Sequence, residues 1–486
     1  MTINDQTSLP NAPIAILGVP FDNLTTDETL ALIPRMVESR RPHHIVTADA
    51  DFLVQSQDDI ELRRILFESH LVLCDGAPLL WASNLLGNPL PDGVAGADIV
   101  PLIVRIAAEC GLRLFLLGAT PESTRRAIAS LRSKHPQLIV AGHYSPPFKQ
   151  LVEMTHGEVL RKVAEASPDI LLVALGAQKQ EKWISMHYRT LGVPVCFGVG
   201  ASFDLLVAPA RKIPAWCRRP WVQWFFRLWK SPRLSPLRML NDCRVFGFGV
   251  LRQWWRFQSR AHENWKRTVA SQRRSEINWN IIRLPESLDV MTAREDLLLT
   301  DQPFADGRHC LIEADGVDFI DSTGVGLLIG MQKRIRATGR QLVLLAPSEA
   351  MMQALELMRL GSFFDSAPDI TVAQLLIEHR ARERAAAVTP GDDTPGSPLL
   401  WHGEITAANA DAVWELTRIH LERLGTHRSV TVDMGAVRFI DSSGAGLMVR
   451  ARKHAQQHGV KMKFTGVQPE VLNVLTVMHL EEFLLR

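Results

Sequence analysis

The sequence predicts an α/β protein with a mostly parallel sheet in its N-terminal half, a basic helical segment, and two smaller α/β domains. Three observations support this prediction. Short apolar runs alternate with helical patterns up to about Val207, Trp and Arg accumulate after Pro209, and one motif occurs twice in the C-terminal half. The length of 486 residues suits about three domains. The apolar fraction of 46% is typical of folded domains rather than a disordered chain.

The N-terminal half repeats a pattern of strand, turn and helix. Its apolar runs, most of which end in Gly or Asp, are Ile14–Val19, His44–Ala48, Leu71–Cys74, Arg113–Leu117, Leu138–Ala141, Ile170–Leu175 and Val193–Val199. This repetition builds βαβ units and predicts a Rossmann-like, mostly parallel sheet covered by helices, in a domain of residues 13–208. Ligands of such sheets bind outside the carboxyl ends of the strands, so we expect a site near these Gly and Asp residues.

Charge, cysteine usage and hydropathy exclude several classes of protein. The net charge is only +2, and the six Cys residues show no spacing typical of zinc ligands or a disulfide framework. This cysteine pattern is typical of a protein in the reducing cytoplasm. We find no basic and apolar leader, and no apolar run of the roughly 18 residues that a spanning helix needs. We therefore expect a protein that is soluble or lies on a membrane surface.

Residues 209–279 form a segment rich in Trp, Arg and Lys with few acids. On a helix, one side carries Phe248, Leu251 and Trp255, and an adjacent stripe carries Arg252, Arg256 and Arg260. This arrangement predicts binding to an anionic membrane surface, where each nearby cation contributes about 1 kcal/mol. A packing helix with a solvated basic face is an alternative. Basic and aromatic residues also suit nucleic acid, but we expect no nucleic-acid partner.

A repeated motif defines the C-terminal half. VDFIDSTGVGLL (Val317–Leu328) matches VRFIDSSGAGLM (Val437–Met448), with Asp321 and Asp441 at equivalent positions. We name residues 280–380 the first repeat and residues 399–486 the second repeat, and we expect a flexible linker at 381–398 from its composition. Asp and Ser at a strand end can cap the next helix. The same helix N-terminus can also hold a phosphate.

Both repeats resemble STAS domains, known from bacterial anti-sigma-factor antagonists, through the segments FIDSTGVGLL and FIDSSGAGLM. The resemblance implies modules that dock other proteins. In the phosphorylated members, a serine-protein kinase modifies the hydroxyl residue directly before the Gly. That position is Thr323 in the first repeat and Ser443 in the second. The resemblance therefore implies a protein partner, with a kinase as one candidate.

A second resemblance covers about residues 13–238. It is carried by LGVPFDNLT (Leu17–Thr25), CDGAPLLWASNLLGNPLPDGVAGADIV (Cys74–Val100), FLLGA (Phe115–Ala119), PDILLVALGAQKQEKWI (Pro168–Ile184) and FGVGASFDLLVAPARKIPAW (Phe197–Trp216). These stretches resemble the WecG/TagA/CpsF family of bacterial glycosyltransferases. The resemblance implies inverting transfer of an N-acetylmannosamine-type sugar, or another hexose, from a UDP-sugar to an undecaprenyl-diphosphate-linked sugar. It also implies no metal or other cofactor, homo-oligomers, and a basic appendage that places the cytoplasmic protein on the inner face of the membrane.

Sugar transfer needs a carboxylate base and groups that stabilise the leaving diphosphate. Asp75 is the best base candidate in the sequence, because it directly follows an apolar strand and Gly76 leaves space beside it; a strand-end turn is its alternative role. The resemblance implies that Asp75 is the catalytic base. It further implies substrate contacts from Thr47, Asp49, Gly76, Gly96, Asp98, Gln180, Glu181, Arg211, Lys212 and Arg227.

Six positions depart from the family pattern: Asp49, Gly93, Gln178, Pro209, Gln223 and Ser231. An added anion at Asp49 and a lost cation at Gly93 would weaken diphosphate binding. A catalytically inactive, membrane-associated scaffold for STAS-type signalling is therefore the alternative function. Asp49 and Asp51 also have the spacing of a metal-binding DxD motif, but the resemblance points away from a metal. We expect the histidines, His44 and His187 among them, to be solvated.

Overall fold

The structure is a computed structural model that describes most of the chain. The described residues are 12–91, 96–147, 151, 154, 156–200, 203, 206, 236–261, 272–275, 279–295, 308–361, 363–385, 388–389, 398–423 and 429–485. In this part of the chain, no helix combines the length and apolarity needed to cross a bilayer.

The chain enters through a short hairpin rather than through a strand of the main sheet. Strands β1 (Ile14–Ile16) and β2 (Val19–Phe21) pair antiparallel. Between them, Leu17 and Gly18 have positive φ angles of 49° and 82° and turn the chain back. The expectation of one strand over Ile14–Val19 is therefore wrong, because this apolar run contains the turn itself.

A six-stranded sheet organises the rest of the N-terminal half. Its strands are β3 (His43–Ala48), β4 (Leu71–Cys74), β5 (Arg113–Gly118), β6 (Ile139–Tyr144), β7 (Ile170–Ala174) and β8 (Val195–Gly198). They are all parallel, which confirms the predicted mostly parallel sheet, and they lie in the order β4-β3-β8-β7-β5-β6. The connecting helices are α1 (Thr26–Ser39), α2 (Ala50–Asp58), α3 (Ile60–Glu68), α4 (Ala77–Leu85), α5 (Gly96–Glu109), α6 (Pro121–Lys134), α7 (His156–Ala166) and α8 (Ala177–Leu191).

Helices cover both faces of this sheet. Successive strand residues point to opposite faces, so Ile45 and Leu172 join one apolar core together with residues of α1, α5 and α6. Val46 faces a second core with α2 and α3, and Val173 faces a third with α7 and α8. The sheet is thus buried on both sides, and only its strand ends are left to form a site.

Within its described residues, the basic segment contains a long helix, α9 (Pro236–Ala261). Its inner side buries Phe246 and Val250 in the core shared with β1, β2 and α2. The predicted apolar side faces outward: Phe248, Leu251 and Trp255 are 68%, 48% and 65% exposed. The helix is therefore apolar on two sides, only one of which packs against the protein.

Two α/β units follow, as predicted. The first contains β9 (Gln272–Ser275), β10 (Trp279–Arg283), β11 (Ser287–Leu288), β12 (His309–Glu313), β13 (Phe319–Ile320), β14 (Leu342–Leu345) and β15 (Asp365–Ala367), with α10 (Val290–Glu295), α11 (Ser322–Ala337), α12 (Glu349–Leu357) and α13 (Ile370–Ala385). The second contains β16 (Val388–Thr389), β17 (Leu399–Ile405), β18 (Ser429–Ile440) and β19 (Lys461–Thr465), with α14 (Ala410–Arg423), α15 (Ser442–Gln457), α16 (Pro469–Val477) and α17 (Glu481–Leu485). Their main sheets have the orders β15-β14-β12-β10-β9 and β16-β17-β18-β19.

Edge strands of these sheets come from outside the expected repeat boundaries. Strand β9 lies in the predicted basic segment, yet it pairs antiparallel with β10. Strand β16 lies in the predicted linker, yet it pairs antiparallel with β17. Sequence composition did not reveal either strand, because β9 is short and polar and β16 has only two residues.

Candidate active site

Several predicted site residues lie where the adjacent strands β3 and β4 end. Asp75 follows β4, and its backbone N–H donates to the Ala48 carbonyl at 2.9 Å. Its carboxylate oxygen Oδ2 accepts the backbone N–H of Gly96 at 3.1 Å, which orients the side chain. Burial and the neighbouring Asp75 carboxylate raise the pKa of the Cys74 thiol to about 12, so this thiol stays neutral. Asp75 is therefore the ionisable side chain at the end of β4 that is a candidate for the predicted base.

Two predicted site residues meet Asp75 at this point. A methyl group in place of a hydrogen on Gly96 would lie 3.1 Å from Thr47 Oγ1 and 3.8 Å from Asp75 Oδ2. Gly96 therefore lets the first turn of α5 approach both side chains closely. The structure brings Thr47, Asp75 and Gly96 together, although they are distant in the sequence.

Two helices begin at glycines at this edge of the sheet, one after β4 and one after β7, which lies three strands away. Gly76 (φ +105°) precedes α4 and Gly176 (φ +94°) precedes α8, and neither offers a side chain to cap its helix. The N–H groups at a helix N-terminus and the positive end of its dipole favour an anion such as phosphate. Both helices begin at the carboxyl edge of the sheet, which is where a diphosphate would bind.

Gln180 and Glu181 are buried near the end of β8 rather than exposed at the edge of the sheet. Gln180 Oε1 accepts the backbone N–H of Gly200 at 2.8 Å, and Gln180 Nε2 donates to Glu181 Oε1 at 2.9 Å. Glu181 Oε2 lies 2.7 Å from Nε2 of His44, and both side chains are only 2% exposed. Gln180 thus holds the turn after β8 in place, and Glu181 supports Gln180 from the buried side.

Gly198 allows this arrangement. A Cβ atom at this position would overlap Oε1 of Glu181 and Nε2 of Gln180, because the end of β8 crosses directly over these two side chains. Any larger residue must displace a buried, hydrogen-bonded pair.

We expect Gly198→Ala to lower the free energy of unfolding by about 1–3 kcal/mol, the usual effect of overpacking a filled interior. Urea unfolding of the full chain measures this change. Gly157→Ala is the matched control, because Gly157 lies in α7 with open space around it. Equal unfolding midpoints for the two variants would show that the end of β8 is not closely packed.

Other predicted residues have different surroundings. Asp49 caps α2 by accepting the Phe52 N–H at 2.9 Å, a role that Asn fills equally well, so this departure from the family pattern has a structural explanation. Asp98 is exposed in the first turn of α5. The described residues include no group of three or more His, Cys, Asp or Glu that could hold a metal ion. Outside the described residues lie Arg211, Lys212 and Arg227, together with Gly93, Pro209, Gln223 and Ser231.

The expectation that the histidines are solvated is wrong for two of them. His44 is 2% exposed and bonds Glu181, while His187 is 8% exposed. Nε2 of His187 lies 2.9 Å from Nδ1 of His156. Burial, and next the nearby His156, lower the pKa of His187 to about 3, which keeps its ring neutral. The burial of these histidines could not be predicted, because each is a single His without a recognisable motif around it.

The signature motifs of the two repeats form helix N-termini. Asp321 caps α11 and Asp441 caps α15, each accepting the N–H groups two and three residues later. The two phosphorylation candidates differ in accessibility. Thr323 is fully buried, and its hydroxyl has no hydrogen-bond partner among the described residues. Ser443 is partly exposed.

Comparison with known proteins assigns the N-terminal half. The family model of the glycosyl transferase WecG/TagA/CpsF family matches residues 14–260, just over half of the chain. The chain belongs to this family. It is therefore a glycosyltransferase, as the sequence predicted. The STAS domain model matches residues 269–373 and 399–485, which confirms that this glycosyltransferase carries two STAS segments.

Similar curated proteins come from Staphylococcus aureus. The strains NCTC 8325, COL and MRSA252 each have a protein named N-acetylglucosaminyldiphosphoundecaprenol N-acetyl-beta-D-mannosaminyltransferase. Each is 26% identical to this glycosyltransferase over 229 residues. The similarity covers 47% of this chain and 87% of each relative, so the relatives match the transferase half alone.

Proposed function

We propose that this glycosyltransferase moves an N-acetylmannosamine-type sugar from a UDP-sugar to an undecaprenyl-diphosphate-linked N-acetylglucosamine, with inversion. The observation that carries the proposal is the position of Asp75, partly exposed at the carboxyl edge of the sheet and oriented by the Gly96 N–H. The relatives' names supply the donor sugar and the acceptor. Such a product suits bacterial surface polysaccharide synthesis.

Asp75 acts as the general base in this reaction. Its carboxylate accepts the proton of the acceptor hydroxyl while the hydroxyl oxygen attacks the anomeric carbon from the side opposite the diphosphate. The bond between the anomeric carbon and the diphosphate oxygen breaks, and UDP leaves. Because Gly96 holds one carboxylate oxygen, the carboxylate has a defined orientation toward the hydroxyl.

The leaving diphosphate needs positive charge from the protein. The N-termini of α4 and α8 supply N–H groups and the positive ends of two helix dipoles at the sheet edge. Thr47 adds a hydroxyl beside Asp75. Arg211, Lys212 and Arg227 are proposed as further contacts to the diphosphate. No step in this mechanism passes through a metal ion.

Turnover tests the proposal directly. The full chain is incubated with a short-chain polyprenyl-diphosphate-N-acetylglucosamine and a panel of UDP-sugars, and UDP release is followed. We expect UDP-N-acetylmannosamine to give the highest kcat/KM. No release with any donor, together with no UDP-sugar binding in calorimetry, would favour the alternative of an inactive scaffold.

The exposed side of α9 supports peripheral binding to the inner face of the cell membrane. Phe248, Leu251 and Trp255 project outward beside Arg252 and Arg256, which are also exposed. Aromatic and apolar side chains enter the acyl boundary while cations meet anionic headgroups. The lipid-linked acceptor lies in that surface, so the helix would bring the enzyme to its substrate.

We expect the double substitution Leu251→Ser with Trp255→Ser to weaken binding to phosphatidylglycerol vesicles about ten-fold or more, since burial of each such side chain contributes about 1.5–3 kcal/mol. Cosedimentation measures the affinity. Leu375→Ser is the control, because Leu375 is 61% exposed on α13 of the first repeat. Equal losses in the control and the double variant would exclude α9 as the membrane-binding surface.

A further inference from the structure

The motif of the second repeat binds helix α3 of the transferase domain. The backbone N–H of Ser442 donates to Glu61 Oε1 at 2.7 Å, and the Ser442 hydroxyl donates to Glu61 Oε2 at 2.8 Å. Both residues are only 2% exposed. One carboxylate of the transferase domain thus accepts two hydrogen bonds from the first residue of α15, a geometry with two fixed directions.

Further contacts surround this pair. Asn473 of α16 donates to the Asp58 carbonyl at 2.8 Å and accepts the Ile60 N–H at 3.3 Å, at the junction of α2 and α3. Arg64 of α3 lies 2.6 Å from Glu404 and stacks over the Phe439 ring at 4.4 Å. The first turn and the middle of α3 therefore contact the second repeat through hydrogen bonds and charge.

The equivalent serine of the first repeat, Ser322, also contacts the transferase half, but on another element and as an acceptor. The Ser322 hydroxyl accepts a hydrogen bond from Nε2 of Gln253 at 2.8 Å. The Gln253 amide also donates to the Ala15 carbonyl and accepts the Leu17 N–H in the hairpin of β1 and β2. A Cβ at Gly326, four residues further along α11, would lie 2.5 Å from the Pro13 carbonyl. The motif surfaces of both repeats are thus occupied by this chain's own transferase half.

A buried ion cluster connects the contact of Ser442 with Glu61 to helix α8. Nζ of Lys182 lies 2.8 Å from both Glu61 Oε2 and Asp59 Oδ2. Lys182 follows Gln180 and Glu181 directly on α8, and Gln180 bonds the Gly200 N–H at the end of β8. Ser442, Glu61, Lys182 and Gln180 therefore form a continuous path from the second repeat to the sheet edge.

We infer that the second STAS segment is a built-in partner of the transferase domain, and that its docking positions helix α8 for nucleotide binding. Ser442 and Glu61 form the contact, and Lys182 acts as a positioning residue. The nucleotide part of this inference rests on the proposed function. A kinase or other protein that binds Ser442 at the N-terminus of α15 must displace Glu61 of α3. Because Glu61 also pairs with Lys182, such binding would release α8 from its position.

Ser442→Asp in the full chain tests the inference, because it sets a second carboxylate against Glu61. We expect faster hydrogen exchange in peptides that cover α3 and α8, and a rise of about ten-fold in the dissociation constant for UDP, the equivalent of one lost charge-assisted hydrogen bond. Ser322→Asp is the matched control. It loosens β1 and α9 around Gln253 and leaves exchange in α8 unchanged.

Two further variants keep the test decisive. Adding Glu61→Gln to Ser442→Asp removes the repulsion between the two carboxylates, so hydrogen exchange in α3 and α8 should return toward the wild-type rate. If Ser442→Asp does not fold, Ser442→Ala takes its place. We then expect smaller increases in the hydrogen exchange and in the dissociation constant for UDP. Unchanged exchange in α3 would overturn the docking, and faster exchange in α3 with unchanged α8 would overturn the positioning. Absence of UDP binding by the wild type would refute the proposed function alone, since exchange still reports on the docking.

Discussion

Asp75→Asn lowers kcat by about 10²–10⁴-fold in the proposed reaction, the range by which a positioned general base accelerates proton transfer. The amide keeps an oxygen that can accept the Gly96 N–H, so the fold of the site is preserved. It has no basic oxygen to take the proton of the acceptor hydroxyl. Donor binding by calorimetry should therefore stay close to wild type while UDP release falls.

A second substitution separates the base from the structural role of Asp75. Asp75→Ala also removes the acceptor for Gly96, so we expect it to lose turnover equally and to weaken UDP-sugar binding in addition. Glu109→Gln, an exposed carboxylate at the end of α5, is the control for loss of one negative charge. Asp75→Asn turnover within a few-fold of wild type would exclude Asp75 as the base.

The main sheet was predictable because its information is local. The buried strands are short apolar runs, and most of them end beside a Gly or Asp, which placed Asp75 and Gly76 at the sheet edge from sequence alone. The hairpin of β1 and β2 was missed, since Leu17 continues the apolar run while adopting a positive φ. The contact of Gly96 with Asp75 also required the fold, because 21 residues separate them.

The repeat was predictable as a unit, but its binding partners were not. Identical positions in the motif, Ser322 and Ser442, contact Gln253 and Glu61 on different elements. The second contact joins residues 381 positions apart, where no local pattern carries information. Lys182 likewise stands in a polar helical stretch, and only the packing of α3 against α8 shows that it is buried.

Lys182→Met should lower the free energy of unfolding by about 3–5 kcal/mol, because it leaves Asp59 and Glu61 buried without their counter-charge. Burial alone would lower the pKa of Lys182, but Glu61 and Asp59 together raise it above its usual value, so the ammonium is charged in the folded protein. Urea unfolding measures the loss. Met fills a similar volume, so the change reports on the charge rather than on a cavity.

Charge balance, not the lysine itself, is the cause of this effect. Lys182→Met combined with Asp59→Asn and Glu61→Gln removes all three charges and should recover most of the stability, since buried ion clusters are often replaceable by neutral groups. Lys162→Met is the control: Lys162 is 37% exposed, lies 3.9 Å from Glu158, and such a surface pair contributes about 0–1 kcal/mol. If the Lys182 and Lys162 variants unfold at the same urea concentration, then the three groups do not form a buried cluster. The path from Ser442 to Gln180 would then lose its central link, and docking of the second STAS segment would have no route to the nucleotide.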